Sequence, residues 1–346
     1  MEEITSVASR FQDFVCPSCG GDLEWDETGA TMRSGCGWQG AVTGGIPRFV
    51  EDSTHENFGI QWNEFADVQM DSLNGTAATR DRLIDQSGLA PEEWRGKRVL
   101  EVGCGAGRFT QLMLEWGAQL VSLDYSRAIE ASVRNNADAV AEGRLVPGQA
   151  DIFALPVRPA SFDIVLCYGV LQHTGAANRA LHSLWRHVAP GGLLLVDRYA
   201  ISLRGVMPFK YLLRPAMKRL PAESVMRMAE RTVRVLSPVQ RALLRATHDS
   251  DGAGKYVRYI IHRSPNSVYP FELEIDEDLA SDVATRWSVL DTFDQWAPAY
   301  DHPCTLRQWR KELAGLPRSQ VERAFSCGQG NAGVVRKSVG YGVGRP

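Results

Sequence analysis

Residues 99–109 read VLEVGCGAGRF, and residues 119–124 read QLVSLD. The first stretch predicts an apolar strand that enters a turn containing Gly103, Gly105 and Gly107, where a ligand can approach the backbone because no Cβ obstructs it. The second predicts an apolar strand that ends in Asp124. A doubly wound sheet brings an acid about 20 residues beyond such a turn to the hydroxyl pair of a ribose. We therefore expect a ligand that carries a ribose.

The spacing of the glycines separates classes of ribose-containing cofactor. A dinucleotide fingerprint reads G-x-G-x-x-G, whereas this turn reads G-x-G-x-G with Glu101 two residues ahead of it. The combination resembles motif I of the class I S-adenosylmethionine (SAM) methyltransferases. Later segments resemble further motifs of that family in the same order: ADI at 150–152, SFDIVLCY at 161–168, LQH at 171–173 and APGG at 189–192.

The resemblance covers about residues 95–200 and is weaker near the C-terminus. It implies an α/β fold with a Rossmann-like, doubly wound, seven-stranded sheet whose last strand is antiparallel. We expect two additions to this fold. The predicted organisation is a zinc-ribbon-like β unit at 1–50, a SAM-binding core at 51–200, a helical basic insertion at 201–285, and a substrate loop with the C-terminal strands at 286–346.

The resemblance also implies a set of cofactor contacts. In the family, the acid matching Glu101 lies near the methionine moiety, and the acid matching Asp151 faces the adenine amino group. A helix predicted over 77–89 carries two arginines, Arg80 and Arg82, that could pair with the methionine carboxylate or lie on a solvated helix face. The predicted cofactor-binding residues are Glu101, Gly103, Cys104, Gly105, Gly107, Asp124, Tyr125, Asp151, Ile152, Cys167, Tyr168 and Arg80.

Composition is that of an ordinary globular protein, with 44% apolar and 23% charged residues in a chain of 346. The net charge of -3 predicts no strong general attraction to nucleic acid. No apolar run reaches the roughly 20 residues that a membrane span needs. The N-terminal sequence MEEI lacks the basic and apolar segments of a signal peptide. We therefore expect a cytoplasmic protein.

The N-terminal segment contains two short motifs, CPSCGGDL at 16–23 and SGCGW at 34–38. They resemble the two knuckles of a zinc ribbon, in which paired loops hold a tetrahedral ion. Position 33 is Arg33 where a full ribbon has cysteine, so the visible ligands are Cys16, Cys19 and Cys36. Zinc is the candidate metal ion, and its fourth ligand is then His55 or a water molecule. The alternative is a degenerate ribbon that is stabilised by its aromatic residues and whose thiols bind no metal.

The insertion is basic and amphipathic. Between Arg204 and Arg245 it has ten basic residues and two acids, with apolar residues at spacings of three and four. This pattern predicts amphipathic helices. Three roles remain open at this point: a lid over the substrate pocket, attraction of an anionic substrate, or a face for membrane or RNA.

The C-terminal part is expected to rejoin the sheet. A helix is predicted over 305–313, followed by antiparallel strands at 321–327 and 334–338. The stretch 287–303 is dense in aromatic and ionisable residues, which favours a substrate-facing loop. Candidate catalytic residues are His173, Tyr300 and His302, because imidazole can take a proton from a hydroxyl or phenol. Pocket shaping and loop packing are the alternatives for these side chains.

The motifs together predict a SAM-dependent methyltransferase that acts on O, N or C of a small molecule or biosynthetic intermediate. An RNA guanine methyltransferase with an N-terminal zinc ribbon is one alternative. No N-P-P-Y-like motif follows the fourth strand, however, where Cys167, Tyr168 and Gly169 stand instead. A partner protein with this fold but without catalysis is the other alternative. We expect a small-molecule acceptor as the partner, with an anionic one open and nucleic acid not expected.

Overall fold

The computed structural model describes residues 11–26, 28–51, 64–201, 210–247, 250, 252–261, 263–268, 277–328 and 330–339. The chain divides into two units. The first draws on the chain up to residue 63, from 79 to 200 and from 302 onward. The second draws on residues 64–78 and 201–301.

The first unit is built on one mixed sheet. In the described residues its strands are β1 (Glu24–Trp25), β2 (Thr31–Arg33), β3 (Gln39–Thr43), β4 (Ile46–Arg48), β5 (Arg98–Val102), β6 (Gln119–Asp124), β7 (Leu145–Gln149), β8 (Phe162–Cys167), β9 (Val188–Tyr199), β10 (Ser319–Cys327) and β11 (Gly330–Lys337). Their order in space is β1-β2-β3-β4-β7-β6-β5-β8-β9-β11-β10. Strands β5 to β9 are parallel, and β10 and β11 are antiparallel to their neighbours. The predicted α/β class with a large, partly parallel sheet is confirmed.

Helices cover both faces of the parallel strands, which explains why these strands are almost wholly apolar. Leu100 of β5 packs in one core cluster and its neighbour Val99 in another. The first cluster includes Trp185 and the second includes Met113. The helices of this unit are α2 (Ala78–Ser87), α3 (Arg108–Glu115), α4 (Ile129–Asn135), α5 (Ala137–Ala141), α6 (Ala177–His187) and α11 (Leu306–Ala314), with short 3-10 turns at Pro91–Trp94 and Leu171–His173.

The N-terminal strands continue the central sheet. Strand β4 pairs in parallel with β7 through Arg48 and Gln149, and the Phe49 N–H donates to the Gln149 carbonyl at 2.8 Å. Phe14, Met32 and Phe49 belong to the same buried cluster as β5 and β8. This segment, expected as a small β unit of its own, therefore shares both hydrogen bonds and core with the larger sheet.

The C-terminal elements lie close to their predicted places. The helix expected over 305–313 is α11, and the two strands expected at 321–327 and 334–338 are the antiparallel pair β10 and β11. The APGG segment was expected as a turn before a strand. It lies instead within β9, which begins at Val188, and the pairing with β8 shifts register between Phe162 and Ile164. Gly191 has a φ of 82°, so the segment forms a bulge in β9 rather than continuous extended backbone.

The second unit contains the predicted amphipathic helices of the insertion. Its helices are α1 (Asp71–Asn74), α7 (Lys210–Met217), α8 (Ala222–Ala246), α9 (Ala253–Ile261) and α10 (Glu277–Trp296). The expectation of a loop from 287 was wrong, because α10 continues to Trp296. Trp287, Leu290, Phe293 and Trp296 recur every three residues and are buried. Successive members of this series are turned by about 60° around the helix axis, and Ser288, Val289 and Thr292 between them are buried as well. Helix α10 is therefore buried on several sides and has no single apolar face that the sequence pattern could show.

Several charged side chains of the second unit are used for packing within it. Arg214 is buried, donates to the Pro298 carbonyl at 2.6 Å and lies 3.3 Å from the Asp301 carboxylate. Arg286 forms a bidentate pair with Asp67, with both distances 2.7 Å. The basic character of the insertion therefore includes structural ion pairs. Among the helices that the structure describes, none combines the length and the apolar character that a membrane span requires.

We expect Gly192→Ala to destabilise the first unit by about 1–3 kcal/mol, the usual cost of overpacking. An added Cβ would lie 2.7 Å from the Asp163 carbonyl oxygen and 3.0 Å from that of Ala189, and both are backbone atoms. Denaturant unfolding measures the change. Gly315→Ala is the matched control because its Cβ would meet nothing closer than 3.4 Å. Equal stability of both variants would contradict the packing described for β9.

Candidate cofactor site and thiol cluster

The glycine turn follows β5 and is fixed against β6. Gly103 has a φ of 81°, and an added Cβ would overlap a methyl group of Val170. Gly107 has a φ of 86°, and its Cβ would lie 2.6 Å from the Ser132 hydroxyl. The Gly103 N–H donates to the Leu123 carbonyl at 2.7 Å. Both glycines are therefore required by backbone conformation and by close packing.

Asp124 stands at the end of β6 and is bonded to this turn. Its Oδ2 accepts the Gly105 N–H at 2.9 Å, and its Oδ1 accepts the N–H and the hydroxyl of Ser126, each at 2.8 Å. Burial raises the pKa of the Asp124 carboxyl, while the hydrogen bonds from Ser126 and Gly105 act against that rise. The structure thus brings together the turn and the acid that the sequence pattern paired.

Glu101 is the most enclosed acid of the site, with 2% of its surface exposed. Its Oε2 accepts the Thr110 hydroxyl at 2.5 Å and the Ser122 hydroxyl at 2.9 Å. Burial raises the pKa of Glu101 to about 7, in spite of these two hydrogen bonds. The carboxyl therefore joins β5 to α3 and β6.

A further acid of the site, Asp197 of β9, was missed by the sequence analysis. It is buried; its Oδ1 accepts the Gly169 N–H at 2.6 Å and its Oδ2 pairs with Arg82 at 2.7 Å. The Arg82 guanidinium lies 6.0 Å from the centre of the Tyr168 ring. An added Cβ on Gly169 would meet nothing within 4 Å, so open space adjoins the end of β8. One signal was available, since an acid that interrupts an apolar strand near its end is unusual.

The other predicted cofactor residues range from fully buried to exposed. Cys104, Cys167 and Tyr168 are buried, and burial raises the pKa of each well above its usual value. Ile152 is also buried, and Asp151 accepts the Phe153 N–H at 2.9 Å. The remaining two lie nearer the surface: Tyr125, whose carbonyl accepts the Gln149 side chain at 2.9 Å, and Arg80, which is exposed on α2. Between the two arginines considered for the cofactor, Arg82 is therefore the one beside Tyr168.

Two of the three predicted catalytic residues belong to neighbouring segments of the first unit. The His302 N–H donates to the carbonyl of Gln172, the residue before His173, at 2.9 Å. The His173 ring lies edge-on to Tyr199, with 5.5 Å between ring centres. Tyr300 belongs to the second unit and is 46% exposed. Gln172 was missed: it is fully buried and neither side-chain amide atom has a hydrogen-bond partner in the described structure.

The three predicted metal ligands converge. The sulfur atoms of Cys16, Cys19 and Cys36 all lie within 4.8 Å of one another, and those of Cys16 and Cys36 are 3.6 Å apart. Burial alone would raise the pKa of Cys16, but hydrogen bonds from the Cys19 N–H, the Ser34 hydroxyl and the Ser18 N–H lower it to about 7. Thiolates are the form that binds soft metal ions. His55, the distant fourth ligand considered above, lies outside the described residues.

Comparison with known proteins gives a family match over the residues that carry the glycine turn. Residues 100–196 match the family model described as a methyltransferase domain. The mitochondrial ubiquinone biosynthesis O-methyltransferase of Schizosaccharomyces pombe is 34% identical over 112 residues, which cover 31% of this chain and 40% of that protein. The ubiquinone biosynthesis O-methyltransferase of Sinorhizobium fredii is 28% identical over 186 residues, covering 47% and 74%. A putative SAM-dependent methyltransferase structure from Methanococcus maripaludis has 12% identity and a TM-score of 0.44, covering 85% of this chain and all of that one.

The chain therefore contains a methyltransferase domain of the SAM-dependent class, and SAM is the cofactor of that class. The motif-based prediction of this class is confirmed. The match spans less than half of the first relative and about three quarters of the second. The assignment applies to the domain at residues 100–196.

We expect Glu101→Gln to change how stability depends on pH. The carboxyl has an ordinary pKa of 4.5 and a folded pKa of about 7, so the folded state keeps a proton that the unfolded state releases between these values. The contribution of Glu101 to stability should therefore fall as pH rises from about 4.5 to about 7 and level off above that. The variant lacks this titration, so its Tm relative to wild type should rise between about pH 5 and pH 8.

Glu92→Gln is the control for this series because Glu92 is exposed in the turn before β5. Its Tm should follow that of the wild type at every pH. A constant Tm difference between Glu101→Gln and wild type across the range would show that Glu101 is ionised throughout.

Proposed function

We propose that the protein transfers the methyl group of SAM to an oxygen atom of a small-molecule acceptor. The observation that carries the proposal is the bonded pair of the glycine turn and Asp124 at the carboxyl ends of β5 and β6. Ligands of doubly wound sheets bind at that end of the strands. Oxygen is chosen as the acceptor atom because both relatives reported above are named O-methyltransferases.

The residues present fit the cofactor. Asp124 offers carboxylate oxygens for a ribose diol, and Asp151 and Ile152 stand one strand further along, as an adenine subsite requires. Gly169 adjoins open space that a side chain would fill. When bound, SAM supplies a methyl group on a sulfonium centre, and the protein's task is then to align the acceptor and keep water away.

Proton removal from a hydroxyl acceptor is assigned to His173. It lies on the short 3-10 turn directly after β8, at the same edge of the sheet as the glycine turn. The turn is held by the backbone bond between His302 and Gln172, and His302 is itself fixed by Arg198, whose Nε donates to its carbonyl at 2.6 Å. In this proposal Arg198 and Gln172 position the segment, while the imidazole accepts the proton.

The second unit lies outside the family match, so we assign selection of the acceptor to it. Helix α8 carries Arg227, Arg231 and Arg234 at exposed positions. Such a concentration of positive charge favours an anionic acceptor, and a substrate screen should therefore include phosphorylated and carboxylated hydroxy compounds.

Asp124→Asn should weaken SAM binding by at least about tenfold, because a charge-assisted hydrogen bond is worth about 1.5–3 kcal/mol. Titration calorimetry with SAM measures the loss. Asp138→Asn, an exposed acid of α5, is the control and should bind as the wild type does. If Asp124→Asn binds SAM as tightly as the wild type, Asp124 does not bind the ribose.

His173→Gln should lower turnover with a hydroxyl acceptor by about 10²–10⁴-fold, the usual contribution of general base catalysis, while SAM affinity stays unchanged. The assay follows labelled methyl from SAM into small-molecule extracts and into RNA in parallel. His182→Gln, an exposed histidine of α6, is the control. Labelling of RNA alone would contradict the assignment of a small-molecule acceptor. Full turnover in His173→Gln would show that His173 is not the general base.

A further inference from the structure

The thiol cluster has a neighbour that the spacing of its motifs did not indicate. A full zinc ribbon would place its fourth cysteine at position 33. Arg33, however, is the last residue of β2, pairs with Gln39 of β3, and is exposed. The next residue, Ser34, is half-buried, and its hydroxyl oxygen lies 3.4 Å from the Cys19 sulfur.

The Ser34 hydroxyl adjoins the thiol cluster through Cys19. The sulfur atoms of Cys16, Cys19 and Cys36 all lie within 4.8 Å of one another, and the Ser34 oxygen lies 3.4 Å from the Cys19 sulfur. Three sulfurs and one oxygen are therefore grouped where the two turns meet.

Two separations within this group match those around a tetrahedral ion. With Zn–S of about 2.3 Å and Zn–O of about 2.0 Å, tetrahedral geometry separates two sulfurs by about 3.8 Å and a sulfur from an oxygen by about 3.5 Å. The observed Cys16 to Cys36 distance is 3.6 Å and the observed Cys19 to Ser34 distance is 3.4 Å. Both fall within a few tenths of an ångström of the values for a bound zinc ion.

Two backbone turns hold the cluster in this form. In the first, the Cys16 N–H donates to the Gly21 carbonyl and the Gly20 N–H to the Cys16 carbonyl, each at 2.8 Å. In the second, the Ser34 N–H donates to the Trp38 carbonyl at 3.0 Å and the Gly37 N–H to the Ser34 carbonyl at 2.9 Å. Because both backbone groups of Ser34 are engaged, its side chain leaves the turn in a fixed direction.

We propose that Cys16, Cys19, Cys36 and the Ser34 hydroxyl oxygen form a zinc site with three sulfur ligands and one oxygen ligand. Three thiolates select a soft or borderline ion, and the fourfold arrangement selects zinc among the common ones. The site is structural, since it joins the turn before β1 to the turn between β2 and β3. A neutral hydroxyl also leaves less negative charge on the site than a fourth thiolate.

The decisive experiment compares Ser34→Cys with Arg33→Cys in the full chain under reducing conditions. Each variant is loaded with zinc and with cobalt, and metal content, affinity by competition with a chelator, and the cobalt absorption spectrum are measured. Ser34→Cys should bind more tightly and increase the sulfur-to-cobalt charge-transfer absorption by about one third, because the number of thiolate ligands rises from three to four. Arg33→Cys should leave affinity and spectrum as in the wild type.

Ser34→Ala provides the reciprocal test. It should lower zinc affinity by about tenfold, the lower end of the range for disturbed metal surroundings, and shift the cobalt ligand-field bands as water replaces the hydroxyl. Circular dichroism checks that each variant is folded. The proposal is overturned if Arg33→Cys gains the fourth thiolate signal, if Ser34→Ala matches the wild type, or if the loaded wild type holds less than about a tenth of an equivalent of metal.

Discussion

A buried carboxyl holds the cofactor end of the sheet together. Glu101 leaves β5 between two strands and beneath a helix, and its partners Thr110 and Ser122 come from α3 and β6. Burying an acid is costly unless hydrogen bonds compensate, so these hydroxyls and the carboxyl restrict one another. This arrangement fixes the direction in which the chain leaves β5 and enters the turn at Gly103. Asp124, on the neighbouring strand, then accepts a hydrogen bond from that turn.

The features that were predicted correctly are those for which one short segment of sequence is enough to indicate the structure. The glycine turn, Asp124 and helix α11 each depend on a short pattern with a known period or conformation. Asp197 and Ser34 depend instead on which distant segments meet, as Asp197 does with Arg82, and no spacing rule reports that. The misassigned stretch from Trp287 to Trp296 lacks a regular helical period because buried residues lie on several sides of α10, and its mixture of aromatic and charged residues suggested a loop.

The N-terminal segment does more than extend the sheet. Arg48 donates to the side chain of Gln149 at 2.9 Å and pairs with Glu130 at 3.0 Å. Gln149 in turn donates to the carbonyl of Tyr125, the residue after Asp124. A continuous set of hydrogen bonds therefore runs from the strand that ends the ribbon-like segment to the loop carrying the ribose acid, so order in the one supports order in the other.

The two outermost strands of the sheet have a consequence for solubility. An unpaired strand edge is a template on which another chain can add. At one end the edge strand, β1, is only two residues long. At the other, β10 carries Glu322 and Arg323 and changes register between Val321 and Arg323. A short edge and a charged, irregular one both discourage strand addition, so this broad sheet is protected against growing into aggregates from either side.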